Sequence, residues 1–488
     1  MNKPIRTISI FCMLLFLALM LNATVLQYVR ASGLNDDPRN RRVLDAAFSR
    51  ERGSIVVGQD AVARSVPSGD EYEFQRTYPQ PFKYAPVTGY FSFDSTTGLE
   101  RTQNEVLSGE DPRLFTTRLV DLLNGSQPKG GRINLTLDPK AQTAAYDALI
   151  SRFGPDVEAS AVALEPATGR VLAMVSLPSY DPNRLASHDY AKVQRAYGQL
   201  ESNESQPMLN RATQTRLPPG STFKIVTAAA ALESGNYEGA EALVPGGATY
   251  QLPLSNSVID NGGRSCGSGR IPLRQALEQS CNTTFLALAD ELGNDAMAAQ
   301  AEKFGFNSND WFDDLPRLAE SVYPTDADRP QTALTGIGQF NVAATPLQMA
   351  MVVAGVANDG VVKQPYLVDE VVSPDLEVID KTDDTTLSEA VSPETADTLT
   401  DILVSTVDSG TASPAAIPGV RVAGKTGTAE NCDDCSNYAW FVSFAPADDP
   451  QVAVAVMIQK ADVPPDDIAG GQLGGPVAKA IMEAVIQR

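Results

Sequence analysis

Residues 421–459 read RVAGKTGTAENCDDCSNYAWFVSFAPADDPQVAVAVMIQ, three apolar runs parted by two turn-rich breaks. Strands are predicted over Arg421–Ala429, Tyr438–Phe444 and Val452–Gln459, with the breaks at the Cys432/Cys435 loop and at Pro446-Ala-Asp-Asp-Pro450. Far upstream, Ala159–Leu164 and Val171–Ser176 flank Glu165-Pro-Ala-Thr-Gly169 and are predicted to form a hairpin. Downstream, Pro476–Gln487 opens on proline and carries Val477, Ile481, Val485 and Ile486 on one broad face, the pattern of a helix. A long, mostly helical stretch separates the two groups of strands. The pattern is α+β: a five-stranded antiparallel sheet, a terminal helix on one face, and a helical insert that carries chemistry.

Composition narrows the chemistry. The 488 residues are 43% apolar, which suits two or three packed domains and excludes wholesale disorder, a collagen-like repeat and a polytopic transporter. The net charge is -22 with no local basic patch, so nucleic acid is a poor partner. There is one histidine, His188, in a polar stretch without a nucleophile or ligand cluster beside it. A histidine-based triad or a His-rich zinc site is therefore excluded, and another residue must carry protons.

Three short motifs supply candidates. In Pro218-Pro-Gly-Ser-Thr-Phe-Lys-Ile-Val-Thr-Ala-Ala-Ala-Ala231 the prolines halt the chain before a helix with almost no solvated face. Such a helix has little reason to bury Lys224, because desolvating an ammonium is costly. Ser221 lies three residues earlier on the same face, so the two form a candidate nucleophile and base; the alternative is that Ser221 merely caps the helix. The second motif, Ser280-Cys281-Asn282, means little alone. In the third, Gly424-Lys425-Thr426-Gly427-Thr428, the glycines let a ligand lie against a strand backbone, with Thr426 and Thr428 opposite Lys425. Gly419 completes the spacing of a phosphate-binding loop, but a strand follows where that loop needs a helix.

Towards the amino terminus, residues 8–29 are uncharged and long enough to cross a bilayer, with Lys3 and Arg6 before them. An uncleaved anchor is expected in place of a signal peptide, since no clean small-x-small cleavage site follows. Cys266, Cys281, Cys432 and Cys435 lie beyond it, an even count that suits an oxidising compartment and allows three pairings. Cys432-Asp-Asp-Cys435 reads as a redox pair, half a metal site or a small disulfide clip, and the clip is the expectation. Cys266 with Cys281 is the companion pair. Short strands at Ser54–Val57 and Tyr72–Phe74 and a helix over Arg113–Leu123 precede a Gly/Pro linker at 125–131. After it a strand is predicted over Ile133–Leu137 and a helix over Pro139–Ile150, capped by Asp138. Three segments result: a cytoplasmic stub and anchor at 1–30, a mixed domain at 31–130, and a catalytic domain at 131–488.

Ser-x-x-Lys, Ser-x-Asn and Lys-Thr-Gly in this order form the signature of serine transpeptidases and related β-lactamases. With Arg52-Gly-Ser-Ile55, Leu135-Thr-Leu-Asp138, Leu209-Asn-Arg-Ala212, Gly336-Ile-Gly-Gln339 and Thr345-Pro-Leu-Gln-Met-Ala350, the chain resembles the class B penicillin-binding proteins along essentially its whole length, most of all the A-type group of actinobacteria. It departs from them at Val56-Val-Gly-Gln59, which replaces the usual Asp-Arg-Asn-Gly continuation, and at Cys281 inside the second motif. The resemblance implies a non-catalytic, dimerisation-like pedestal and a membrane-anchored transpeptidase domain of penicillin-binding and serine β-lactamase type, its sheet covered by helices on both faces and joined to a helical subdomain.

The resemblance also implies the reaction. Ser221 attacks the D-Ala-D-Ala end of a peptidoglycan stem peptide, with Lys224 taking its proton. The backbone N–H groups of Ser221 and Thr428 hold the oxyanion, and Ser280 relays a proton to the leaving amine beside Lys425. Asn282 grips the peptide amide, and Thr426, Gly427 and Thr428 line the terminal carboxylate. No cofactor and no metal are required. The implied partners are stem peptides, β-lactams as covalent inhibitors, a membrane glycan polymerase, and division or elongation proteins. A class A β-lactamase is disfavoured, because no Glu-x-x-Leu-Asn loop follows Asn282. The alternatives are a D,D-carboxypeptidase or endopeptidase and, in a different class, a β-lactam-sensing receptor or a non-turnover adaptor.

Overall fold

The computed structural model describes residues 3–30, 48–115, 123, 129–429, 437–464 and 468–487. The chain opens on helix α1 (Lys3–Thr24), continued by a short π turn over Val25–Val29. Lys3–Gln27 is long and apolar enough to cross a membrane. None of that segment is buried against the rest of the chain.

The next region is built on a six-stranded sheet. Its first strands are β1 (Ile55–Val57), β2 (Asp60–Pro67) and β3 (Phe74–Thr77), and β4 (Arg132–Leu135) enters beyond the predicted linker. The expected strand at Tyr72–Phe74 starts at Phe74 instead, because Ser68–Tyr72 forms a turn stitched by Asp70, whose carboxylate accepts from Tyr72 N at 3.1 Å. Of the helix expected over Arg113–Leu123, Pro112–Leu114 is a 3-10 turn, and 116–122 lie outside the described residues. Glu100 is fully buried at the heart of this region. It accepts from Arg52 Nε at 2.7 Å, Arg76 Nε at 2.6 Å and the Tyr78 hydroxyl at 3.1 Å. Burial alone would raise the carboxyl's pKa, but the two guanidinium groups outweigh it and hold the group below the usual range.

Helix α2 (Pro139–Phe153) begins where Asp138 accepts from Lys140 N and Ala141 N, and ends three residues past Ile150, capped by Gly154. The predicted hairpin follows as β5 (Glu158–Leu164) and β6 (Val171–Leu177). Helix α3 (Lys224–Glu233) then leads to four short strands, β7 (Leu243–Pro245), β8 (Thr249–Gln251), β9 (Val258–Asp260) and β10 (Arg270–Pro272). Helices α4 (Leu273–Glu278) and α5 (Asn282–Leu292) flank the second motif, and α6 (Pro346–Ala357) is buried at every position. Ribbon strands β11 (Val361–Lys363) and β14 (Thr386–Glu389) enclose β12 (Val368–Val372) and β13 (Val378–Lys381). The last two complete the six-stranded sheet in the order β13-β12-β4-β1-β2-β3.

After α7 (Pro393–Asp408) come β15 (Ala423–Ala429), β16 (Tyr438–Ala445), β17 (Val452–Lys460) and α8 (Gly470–Ile486). The five-stranded sheet is antiparallel throughout, in the order β15-β16-β17-β5-β6. One row across it runs Lys425, Val442, Ala455, Val162 and Met174, so Lys425 shares a face with four buried apolar residues. That face packs on α6, and α8 with α2 covers the other. Helix α8 starts six residues earlier than expected, with Pro476 inside it. Its glycines are poor helix formers, yet a Cβ on Gly474 would come within 2.6 Å of Phe441 Cβ. The carbonyl of Gln472, which Pro476 cannot serve, accepts from the Arg152 guanidinium at 2.6 Å instead.

Candidate active site

The three motifs meet at the edge of the five-stranded sheet. Ser221 sits half-exposed in a 3-10 turn (Gly220–Phe223) that runs directly into α3. Gly220, at φ +54°, donates its N–H to Gly338 O at 3.1 Å, and Gly338 has φ +70°. A Cβ on Gly338 would lie 2.3 Å from Gly220 O, and one on Gly427 would lie 2.8 Å from Pro219 O. Glycine at these positions lets the nucleophile turn, the 336–339 loop and strand β15 meet backbone to backbone.

Lys224 is completely buried. Its Nζ stands 2.8 Å from Ser280 O, 2.8 Å from Asn282 Oδ1 and 3.2 Å from Ser280 Oγ. The Asn282 amide is oriented by its other end, where Nδ2 donates to Asp260 O at 3.0 Å. Burial, then the charge of Lys425, then that of Arg264 drive the Lys224 pKa far below its ordinary value. A neutral amine has two hydrogens and one lone pair. The two short contacts to oxygen acceptors engage the hydrogens, which leaves the lone pair for a hydroxyl proton. Lys425 is equally buried, and its Nζ donates to Ser280 Oγ at 2.9 Å and Thr426 O at 3.0 Å. Burial, followed by Arg264, brings it down to about 7.

Ser280 thus lies between the two lysines. Its φ is +54°, a left-handed conformation that serine avoids at a cost of about 1–3 kcal/mol. Hydrogen bonds from Ser280 N to Leu277 O and Cys281 N to Ala276 O hold it there. So does the disulfide between Cys281 and Cys266, the expected companion pair. Cys432 and Cys435 lie outside the described residues, and Cys12 on α1 is a free, exposed thiol. Thr426 faces away from Lys425 towards α8, its hydroxyl 2.9 Å from that of Thr411, while Thr428 is exposed and Gly427 is buried against Pro219 and Trp440. His188 is elsewhere, with Nδ1 2.6 Å from Asp70 among the rings of Phe48, Tyr72 and Phe93.

Two neighbours escaped the sequence reading. Asn261 is 2% exposed, donates to Gly247 O at 2.8 Å and accepts from Thr283 N at 3.0 Å, so it caps α5 from a distant loop. Arg264 follows three residues later. The one available signal was Cys266, because its bond to Cys281 brings residues 261–267 beside the second motif.

Residues 159–483 match the penicillin-binding protein transpeptidase domain, and residues 52–133 match the penicillin-binding protein A dimerisation domain. The peptidoglycan D,D-transpeptidase PbpA of Mycolicibacterium smegmatis is 42% identical over 495 residues, spanning 100% of this chain and 99% of the relative. The chain belongs to the penicillin-binding protein A family. The PbpA of Mycobacterium tuberculosis H37Rv is also 42% identical, over 100% of this chain and 99% of its own. Penicillin-binding protein A from M. tuberculosis, solved as a ceftriaxone acyl-enzyme, superposes with a TM-score of 0.85 at 39% identity, covering 91% of this chain and 100% of that one. Its penicillin G acyl-enzyme gives 0.84 at 40% identity, over 90% and 100% of the two chains. As a member of that family, the chain pairs a pedestal fold with a transpeptidase fold behind one apolar amino-terminal helix.

Proposed function

We propose that this chain is a serine D,D-transpeptidase that cross-links peptidoglycan stem peptides through an acyl-enzyme on Ser221, and that β-lactams inhibit it covalently. The observation that carries the reading is Lys224, a buried amine whose hydrogens are engaged and whose proton affinity is depressed, one helical turn from a half-exposed serine at a helix start. Ser221 Oγ attacks the carbonyl carbon of the penultimate D-Ala while Lys224 Nζ takes its proton. The backbone N–H groups of Ser221 and Thr428 stabilise the oxyanion. The C–N bond then breaks, and Ser280, between the two amines, relays the proton to the departing D-Ala. The amine of a second stem peptide attacks the ester, loses its proton to Lys224 and closes the cross-link, and Ser221 regains its hydroxyl. Asn282 aligns the donor's backbone, and exposed Thr428 with Lys425 receives its carboxylate, while Thr426 and Gly427 supply the strand backbone beside it.

On this reading residues 1–30 are a cytoplasmic stub and single membrane anchor, 31–130 the pedestal, and 131–488 the transpeptidase domain on the extracytoplasmic face. A membrane glycan polymerase supplies the strands to be joined, in concert with division or elongation proteins. The decisive experiment labels the detergent-solubilised full chain with a reporter penicillin beside Ser221→Ala and follows intact mass. A single adduct that persists for hours and disappears in the variant is expected. Rapid release would indicate a β-lactamase, and no adduct on folded protein would leave an adaptor. Incubation with two stem peptides then separates cross-linking from carboxypeptidase release of D-Ala and from mere sensing.

A further inference from the structure

The loop between β9 and β10 is fastened to the second motif at both ends. At its start Asp260 O accepts from Asn282 Nδ2, and the Asn261 side chain holds Thr283 N. At its end Cys266 is bonded to Cys281, with the two Cα atoms 5.8 Å apart. Within this frame Arg264 is half-buried, and its Nε donates to Asn261 O at 2.6 Å. That bond engages the inner nitrogen. The two outer nitrogens form no hydrogen bond or ion pair among the described residues. The charged groups facing Arg264 are Lys224 on α3, Lys425 on β15 and Asp260 on β9, and Asp260 lies beyond ion-pair distance. Two buried amines therefore meet at Ser280, with Arg264 near enough to lower the proton affinity of both and no carboxylate in ion-pair contact with any of the three among the described residues. A partly desolvated guanidinium whose fork is unengaged suits a carboxylate, which it binds through two parallel N–H bonds.

We propose that Arg264 is a specificity-determining residue of the acyl-transfer site, its guanidinium fork receiving the C-terminal carboxylate of the donor peptide beside Lys425. The proposal rests on the assignment of Ser221 as nucleophile and Lys224 as base. It also gives the cation cluster a second use. In the free enzyme burial, and after it the neighbouring positive charges, lower the proton affinity of Lys224. A docked carboxylate cancels part of that field, so Lys224 becomes the stronger proton acceptor once a substrate is seated.

The test compares two acylating reporters on the full chain, benzylpenicillin and its methyl ester, which lacks the carboxylate. Second-order acylation rates are measured for wild type, Arg264→Gln and Arg264→Lys, with Ser221→Ala alongside. For Arg264→Gln the acid-over-ester rate ratio should fall about tenfold, the scale of one charge-assisted hydrogen bond. The acid limb of its pH profile should move to higher pH, because removing a cation raises the pKa of Lys224. Arg264→Lys, which keeps the charge and loses the fork, should lower the ratio about threefold. It also decides the case if the Gln variant fails to fold, since a wild-type ratio there would overturn the proposal. Equal losses with both reporters would reduce Arg264 to a prop of the loop, and unaltered rates would show its charge unused. Labelling that survives Ser221→Ala would instead defeat the nucleophile assignment, a result read independently of Arg264.

Discussion

Ser280, Lys224 and Lys425 form a junction of two amines on one hydroxyl in a place water does not reach. Lys224→Met should lower acylation by about 10²–10⁴-fold, the usual worth of a positioned general base, in a stopped-flow assay with a reporter penicillin. Lys425 leads to a stability test. Its pKa is about 7 when folded and returns to the ordinary 10.5 when the chain unfolds. Between those values the unfolded chain holds a proton that the folded one has released. Folded stability therefore rises with pH across that window, at up to about 1.4 kcal/mol per pH unit for this group. Denaturant midpoints taken from pH 7 to 9.5 should climb less in Lys425→Met than in wild type; parallel curves would disprove the assignment. Lys224 and Ser221 were legible because a buried amine beside a hydroxyl contradicts an otherwise apolar helix, and Lys425 because glycines flank it in a strand. Arg264 and Asn261 were not, since they occupy a Gly- and Ser-rich turn whose sequence resembles any exposed loop.

Among the elements, the strands of the five-stranded sheet were readable because each is a short apolar run bounded by turn residues. Strand β2 was overlooked because its burial pattern, with exposed Asp60, Arg64 and Pro67, mixes faces without clean alternation. The true start of α8 was hidden because glycines argue against a helix until the neighbouring sheet shows that side chains would not fit. The turn that carries Ser221 rests on the same kind of contact. Gly338→Ala places a Cβ against Gly220 O in a backbone region alanine avoids, and should cost about 2–3 kcal/mol in a chemical denaturation curve while slowing acylation. The disulfide closes a loop with a sequence separation of 15. Cys266→Ser with Cys281→Ser should lose about 3 kcal/mol of stability. The Ser280 and Arg264 geometry depends on that loop, so acylation should slow as well.

At the scale of the whole molecule, the pedestal depends on its ionic knot. Glu100→Gln leaves two buried guanidinium groups without their counter-charge and should destabilise the fold by about 3–5 kcal/mol, measurable as a drop in Tm. The carboxyl's lowered pKa gives the matching acid response: its contribution is present above the ordinary glutamate range and disappears as pH falls through the folded-state value. The six-stranded sheet also joins distant parts of the chain. Strand β4 lies parallel to β1 on one side and antiparallel to β12 on the other, and Asn134 donates to Glu370 across 236 positions. On a growing polypeptide β4 therefore emerges long before its second neighbour exists. Until Val368–Val372 is made, one row of its backbone groups stands open to any passing strand. The hazard in making this protein is concentrated in that interval, where two half-finished copies would join through their open β4 edges.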